Sequence, residues 1–135
     1  MKSRAYIIIG VSALLLFASC GQQHKAESLV SDFVAENMEN PSAISDKDFA
    51  DLGTTRHISD SLITLMRQRG ASGYKKGITY GKMPAGDLYF LRMSYISNGD
   101  TLQNTFYFDS ELSEVVAFKK LFSKKVAQKF AGTKK

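Results

Sequence analysis

The chain has 135 residues, 44% of them hydrophobic and 23% charged, and a formal net charge of +5. That length supports one compact domain around a packed core, and a single cysteine excludes an internal disulfide. The only two histidines, His24 and His57, lie far apart in sequence, so the composition also argues against a structural zinc site.

The N-terminus begins with a positive cluster, Lys2 and Arg4. Tyr6 to Phe17 is apolar apart from Gly10 and Ser12, and is too short for the ~20 residues that a membrane-spanning helix needs. Two small residues, Ala18 and Ser19, then precede Cys20. Basic start, short apolar run and small residues are the layout of a removable export signal. The segment resembles the lipobox of bacterial lipoproteins, with Phe17 where Leu is commoner. The resemblance implies that the Cys20 thiol receives a diacylglyceryl group, that the chain is cut before it, and that the new amine is acylated. Several acyl chains together hold a protein stably at a membrane. On this reading residues 1–19 are a signal peptide, 20–25 a lipidated polar tether, 26–122 a domain and 123–135 a basic tail, and no second apolar span follows.

Charge is unevenly spread. Between Cys20 and Glu114 there are nine basic and thirteen acidic side chains, whereas the last 21 residues carry seven lysines and no acid. Phe118, Phe122, Val126 and Phe130 recur every fourth residue in that tail, but Lys125 and Lys129 interrupt the apolar arc. The tail therefore reads as a short helix docked on the domain or as a solvated end. Contact with a membrane or an envelope polymer is an alternative. Export argues against nucleic acid as a partner.

After the tether Gly21–Lys25, Ala26, Leu29, Val30, Phe33, Val34 and Met38 follow the i, i+3, i+4, i+7 spacing of an amphipathic helix, and Pro41 ends it near Asn40. Asp48 to Thr55 reads as a short edge strand with Ala50, Leu52 and Thr54 on one side. A second helix is expected from Ser59, capped by Ser59 or Asp60, with Leu62, Ile63 and Met66 inward and Gly70 at its end.

From Tyr74 the period becomes two, predicting strands over Tyr74–Met83, Leu88–Ser97, Thr101–Asp109 and Glu114–Lys119. Asn98-Gly99 is a strong hairpin signal and fixes the register. It places Tyr95 opposite Leu102, Met93 opposite Asn104, Leu91 opposite Phe106 and Tyr89 opposite Phe108 on one apolar face. The other face pairs Ile96 with Thr101, Ser94 with Gln103, Arg92 with Thr105, and Phe90 with Tyr107. One apolar helix stripe and one apolar sheet face predict an α+β domain, the first helix packed on a four-stranded antiparallel meander with a short second helix between them.

The helix ending Glu36-Asn37-Met38-Glu39-Asn40-Pro41-Ser42, then Ile58-Ser59-Asp60-Ser61-Leu62, then the meander through Asp100–Asp109 and Val115–Lys119, resembles small lipoproteins of Bacteroidota-type bacteria. The layout is similar to cystatin-like or NTF2-like domains. This resemblance implies a fold and a compartment, with no functional residue to carry over. In such proteins acidic residues soon after the cysteine accompany surface display. Gly21-Gln22-Gln23-His24-Lys25 lacks them, which implies the periplasmic side, and Gly21 implies the outer membrane.

Few residues suggest chemistry. His57, Ser59, Asp60 and Ser61 are catalytic residue types, but their adjacency does not make a triad, and a helix cap explains Ser59 and Asp60. Asp46, Asp48 and Asp51 fail the EF-hand pattern, with Asp51 and His57 where Gly and Glu are required, so a solvated loop is expected. No cofactor or metal is implied. The candidate binding patch is Phe90, Arg92, Thr105 and Tyr107, on the sheet face away from the first helix. Aromatic rings beside an arginine suit an anionic or planar ligand or a protein partner, unless the second helix or the tail covers them. The expected function is a lipid-anchored, non-catalytic binding module. One alternative is an NTF2-like pocket with a carboxylate facing His57 or Arg92. Another is an inhibitor or immunity protein that inserts Pro84–Asp87 or the Asp46–Asp51 loop into a partner's cleft.

Overall fold

The computed structural model describes residues 21–56 and 58–121. Cys20, the signal segment, His57 and the tail beyond Leu121 lie outside the described residues, as do the expectations that rest on them.

Residues 21–37 form the first helix, α1. Its inward side is the stripe read from the sequence: Ala26, Val30, Phe33, Val34 and Met38 are buried and Leu29 packs beside them. Burying side chains of this size contributes about 1.5–3 kcal/mol each. The stretch Gly21–Lys25, expected as a tether, is instead helical and continuous with the rest of α1. Gln23 ties it to the body, with Nε2 donating to the Ala50 carbonyl at 3.0 Å and Oε1 accepting from the Leu52 N–H at 2.7 Å. Pro41 starts a 3-10 turn, Pro41–Ala43, after the helix has ended.

The sheet is antiparallel. Its strands are β1 (Ser45–Phe49), β2 (Gly53–Thr55), β3 (Leu88–Ser97), β4 (Asp100–Phe108) and β5 (Val115–Leu121). The order is β1-β3-β4-β5, and β2 also pairs with β3 beyond the end of β1. Helix α2 (Asp60–Arg69) crosses between β2 and β3. Its cap is the expected one, the Ser59 side chain accepting from the Leu62 N–H at 3.3 Å, and Gly70 closes it by donating to the Met66 carbonyl.

The hairpin register is the one that Asn98-Gly99 dictates, with every pair from Tyr89↔Phe108 to Ser97↔Asp100 in place. Asn98 and Gly99 both have positive φ, +53° and +80°, as a turn matched to the twist of the strands requires.

Two elements differ from expectation. Residues 74–83 form no strand, because β1 and β2 occupy the edge of β3 where that strand would pair. The segment bonds to the end of α1 instead, with Lys75 N–H donating to Asn37 O at 2.7 Å and Glu39 N–H to Gly73 O at 2.9 Å. The single edge strand expected over Asp48–Thr55 is two short strands starting at Ser45, broken at residues 50–52. Leu52 packs against the core while Ala50 and Thr54 are exposed, so they do not share one inward side.

Between α1 and the sheet the core is largely aromatic. Phe33 meets Phe118 and Phe106 edge-on at 5.4 and 5.8 Å, Phe106 stacks on Phe118 at 5.7 Å, and Tyr74 lies 4.6 Å from Phe118. Phe118, which fits the tail's four-residue spacing, is thus a fully buried residue of β5.

Candidate functional site

Strand alternation sends residues 88, 90 and 92 of β3, and 105 and 107 of β4, to the face away from α1. The register puts Phe90 beside Tyr107 and Arg92 beside Thr105, so the four residues singled out in the sequence form one patch. Strand β5 extends both rows, Ala117 beside Tyr107 and Lys119 beside Thr105.

Helix α2 covers half of this patch. Ile63 and Met66 pack with Leu88, Tyr107, Val116 and Ala117, and Phe90 and Ile58 border the cluster. Tyr107 is therefore buried and Phe90 half-buried. The Phe90 ring lies across β2 directly over Gly53, where an added Cβ would come within 2.6 Å of it.

The second row is open at both ends. Arg92 and Lys119 are exposed on either side of Thr105, which is only 2% exposed. The Thr105 hydroxyl has no hydrogen-bond partner among the described residues. Each cation is set by a ring of the first row, Arg92 lying 6.0 Å from the centre of Phe90 and Lys119 5.8 Å from that of Tyr107. The two exposed cations on either side of Thr105 can bind a carboxylate or another oxyanion.

A groove runs from this row along α2. Ile58, Leu62, Leu65, Met66 and Tyr107 supply its apolar wall, and Arg69, Lys119 and Lys120 its charges. Leu62, expected to face inward, is 46% exposed because Ile63 and Met66 take the contacts with the sheet; Leu65 is 38% exposed. Reading the sequence did not assign Lys119 to the patch. Its place depends on how β4 and β5 pair, and the turn between them, Asp109–Glu114, is no two-residue hairpin that would fix a register.

That turn is held by Asp109. Partial burial opposes the Asp109 charge. Hydrogen bonds from the Ser113 hydroxyl and from the N–H groups of Ser113 and Glu114 outweigh that effect and lower its pKa below the ordinary 3.8. Arg67 closes the other side of α2. Its Nε donates to the Val116 carbonyl at 2.8 Å and Nη2 to the Gly81 carbonyl at 3.3 Å, with the guanidinium 4.9 Å from the Tyr80 ring centre.

The remaining sequence candidates are dispersed. Asp46 and Asp48 lie exposed on edge strand β1 rather than in a loop, and Asp51 follows it. Among the described residues no group of three or more His, Cys, Asp or Glu side chains is arranged to hold a metal ion. Nor is any described helix long and apolar enough to cross a membrane. No family model, curated protein or solved structure matches the chain.

Proposed function

We propose that this protein is a lipid-anchored component of a bacterial cell envelope whose α+β domain binds a partner rather than transforming a substrate. The observation that carries the anchoring is the order Lys2-Ser3-Arg4, apolar run, Ala18-Ser19-Cys20. The composition after Cys20 favours the outer membrane, with the domain facing the periplasm, by the resemblance to Bacteroidota-type lipoproteins. The two hydrogen bonds through Gln23, three residues after Cys20, support an anchor joined closely to the fold.

The binding half of the proposal is supported by the row Arg92–Thr105–Lys119 and the α2 groove beside it, which together present exposed cations and exposed leucines. The side of the sheet facing α1, where an NTF2-like cavity would open, is filled by Phe33, Tyr74, Phe106 and Phe118.

Metabolic labelling of producing cells with an alkynyl palmitate analogue tests the anchor. The expected result is label on the wild-type protein and none on Cys20→Ala. Unlabelled wild-type protein in the soluble fraction would overturn the anchoring.

A further inference from the structure

The α2 groove is built for one kind of chemistry. Its apolar wall contains Leu62 and Leu65, three residues apart on α2 and both well exposed. Among the described residues its charged lining is entirely basic, Arg69, Lys119 and Lys120. Lys120 is held in position by donating to the Ser72 hydroxyl at 2.7 Å. At its border the Arg92–Thr105–Lys119 row adds a fourth cation, the exposed Arg92. A carboxylate set between the two exposed cations of this row would pair with both. The sequence beyond β5 adds Lys124, Lys125, Lys129, Lys134 and Lys135 and no acid, whereas the body from Cys20 to Glu114 is net acidic.

We infer that the groove between α2 and β5 docks a segment of a partner protein that presents carboxylates beside an apolar ridge, one carboxylate held between Arg92 and Lys119. Complementary charge selects the acidic segment, and the exposed leucines take its apolar side chains. A protein segment fits better than an anionic bilayer for two reasons. The surface is a groove bounded by a helix and a sheet, which a flat membrane cannot fill. α2, which walls the groove, and α1, the first described helix after Cys20, pack on opposite faces of the sheet. The inference rests on the binding half of the proposed function and names its partner chemistry.

The test uses the full chain as cells produce it, purified and reconstituted in phosphatidylcholine vesicles, with an environment-sensitive dye on Gln68→Cys, an exposed position of α2 beside the groove. The probe is a short amphipathic peptide of glutamates and leucines, with a lysine-for-glutamate version as control. The expected result is a saturable dye shift with the acidic peptide and none with the basic one. Arg92→Gln/Lys119→Gln should weaken binding at least about tenfold with an unchanged circular-dichroism melt, and Lys47→Gln on edge strand β1 should bind like wild type.

Equal response to both peptides, or full affinity in the double variant, would overturn the inference. So would a shift on adding phosphatidylglycerol to the vesicles without peptide, which would assign the face to lipid. Flotation of the same vesicles reads the anchor separately: protein left unbound would sink the anchoring but not the groove.

Discussion

The Tyr74 hydroxyl donates a 3.1 Å hydrogen bond to Asn104 Oδ1 within the buried core, and it joins the segment after α2 to the centre of the sheet. Asn104 is fully buried, and its Nδ2 has no partner among the described residues. The pair therefore stabilises one docking of residues 71–87 at the expense of a half-satisfied amide.

Removing one member should cost more than removing both. Tyr74→Phe leaves Asn104 Oδ1 without its donor and should destabilise the fold by about 1–3 kcal/mol. Tyr74→Phe/Asn104→Leu, which also removes the stranded amide, should recover part of that loss. Urea unfolding of wild type and the two variants measures both steps. A double variant less stable than Tyr74→Phe alone would show that the amide is better satisfied than this geometry implies.

Alkaline pH should unfold the domain through its tyrosines. Burial raises the pKa of Tyr74 well above the ordinary 10.0, helped by the nearby Tyr95 and Tyr80. Burial also pushes Tyr80 up to about 12, against the pull of Arg67, and burial raises Tyr95. Because these folded values lie above the unfolded one, the stabilisation is complete below pH 10 and is lost as pH rises past it, where only the unfolded chain ionises freely. Stability should therefore fall between pH 10 and 12. Absorbance near the tyrosinate band should show these three side chains ionising with unfolding rather than before it, and Tyr80→Phe should shift the loss to higher pH.

Arg67 acts as a three-way staple, and lysine cannot replace it. One planar guanidinium donates to Val116 on β5 and to Gly81 in the preceding loop, and lies against the Tyr80 ring. Arg67→Lys should cost about 1–3 kcal/mol. It should also release residues 75–83 to limited proteolysis at protease levels that leave wild type intact. Equal cleavage of the two proteins would mean that the core contacts of the loop and its bonds to the end of α1 hold it without Arg67.

Legibility followed the range of the interactions. Asn98-Gly99 fixes nine cross-strand pairs because the turn and its strands are contiguous, α1 and α2 carry their own stripes, and α2 carries its own caps. The patch Phe90–Arg92–Thr105–Tyr107 was readable for the same reason. Non-local features were not. Tyr74, Ile78 and Tyr80 alternate like a strand because their side chains pack toward the core, but which segment gains the edge of β3 is settled by competition with residues 45–55. Strand β1, Ser-Asp-Lys-Asp-Phe, is exposed at every position but Phe49 and so shows no alternation. Lys119 and the exposed leucines join the site only through the pairing of β5 and the docking of α2.

The contact between Gly53 and Phe90 gives a test of that competition. β2 pairs Gly53 with Phe90, whose ring occupies the space that any side chain at position 53 would need. Gly53→Val should force the ring aside and cost about 1–3 kcal/mol as an overpacked contact. Phe90→Ala should itself be destabilising, since Phe90 borders the α2 cluster. In the double variant the valine can settle where the ring was, so the two losses should fall short of their sum by about 0.5–3 kcal/mol. Thermal melts of the four proteins complete the cycle. Simple additivity would mean that β2 leaves the sheet when Gly53 is replaced, and that β1 alone holds this edge of β3.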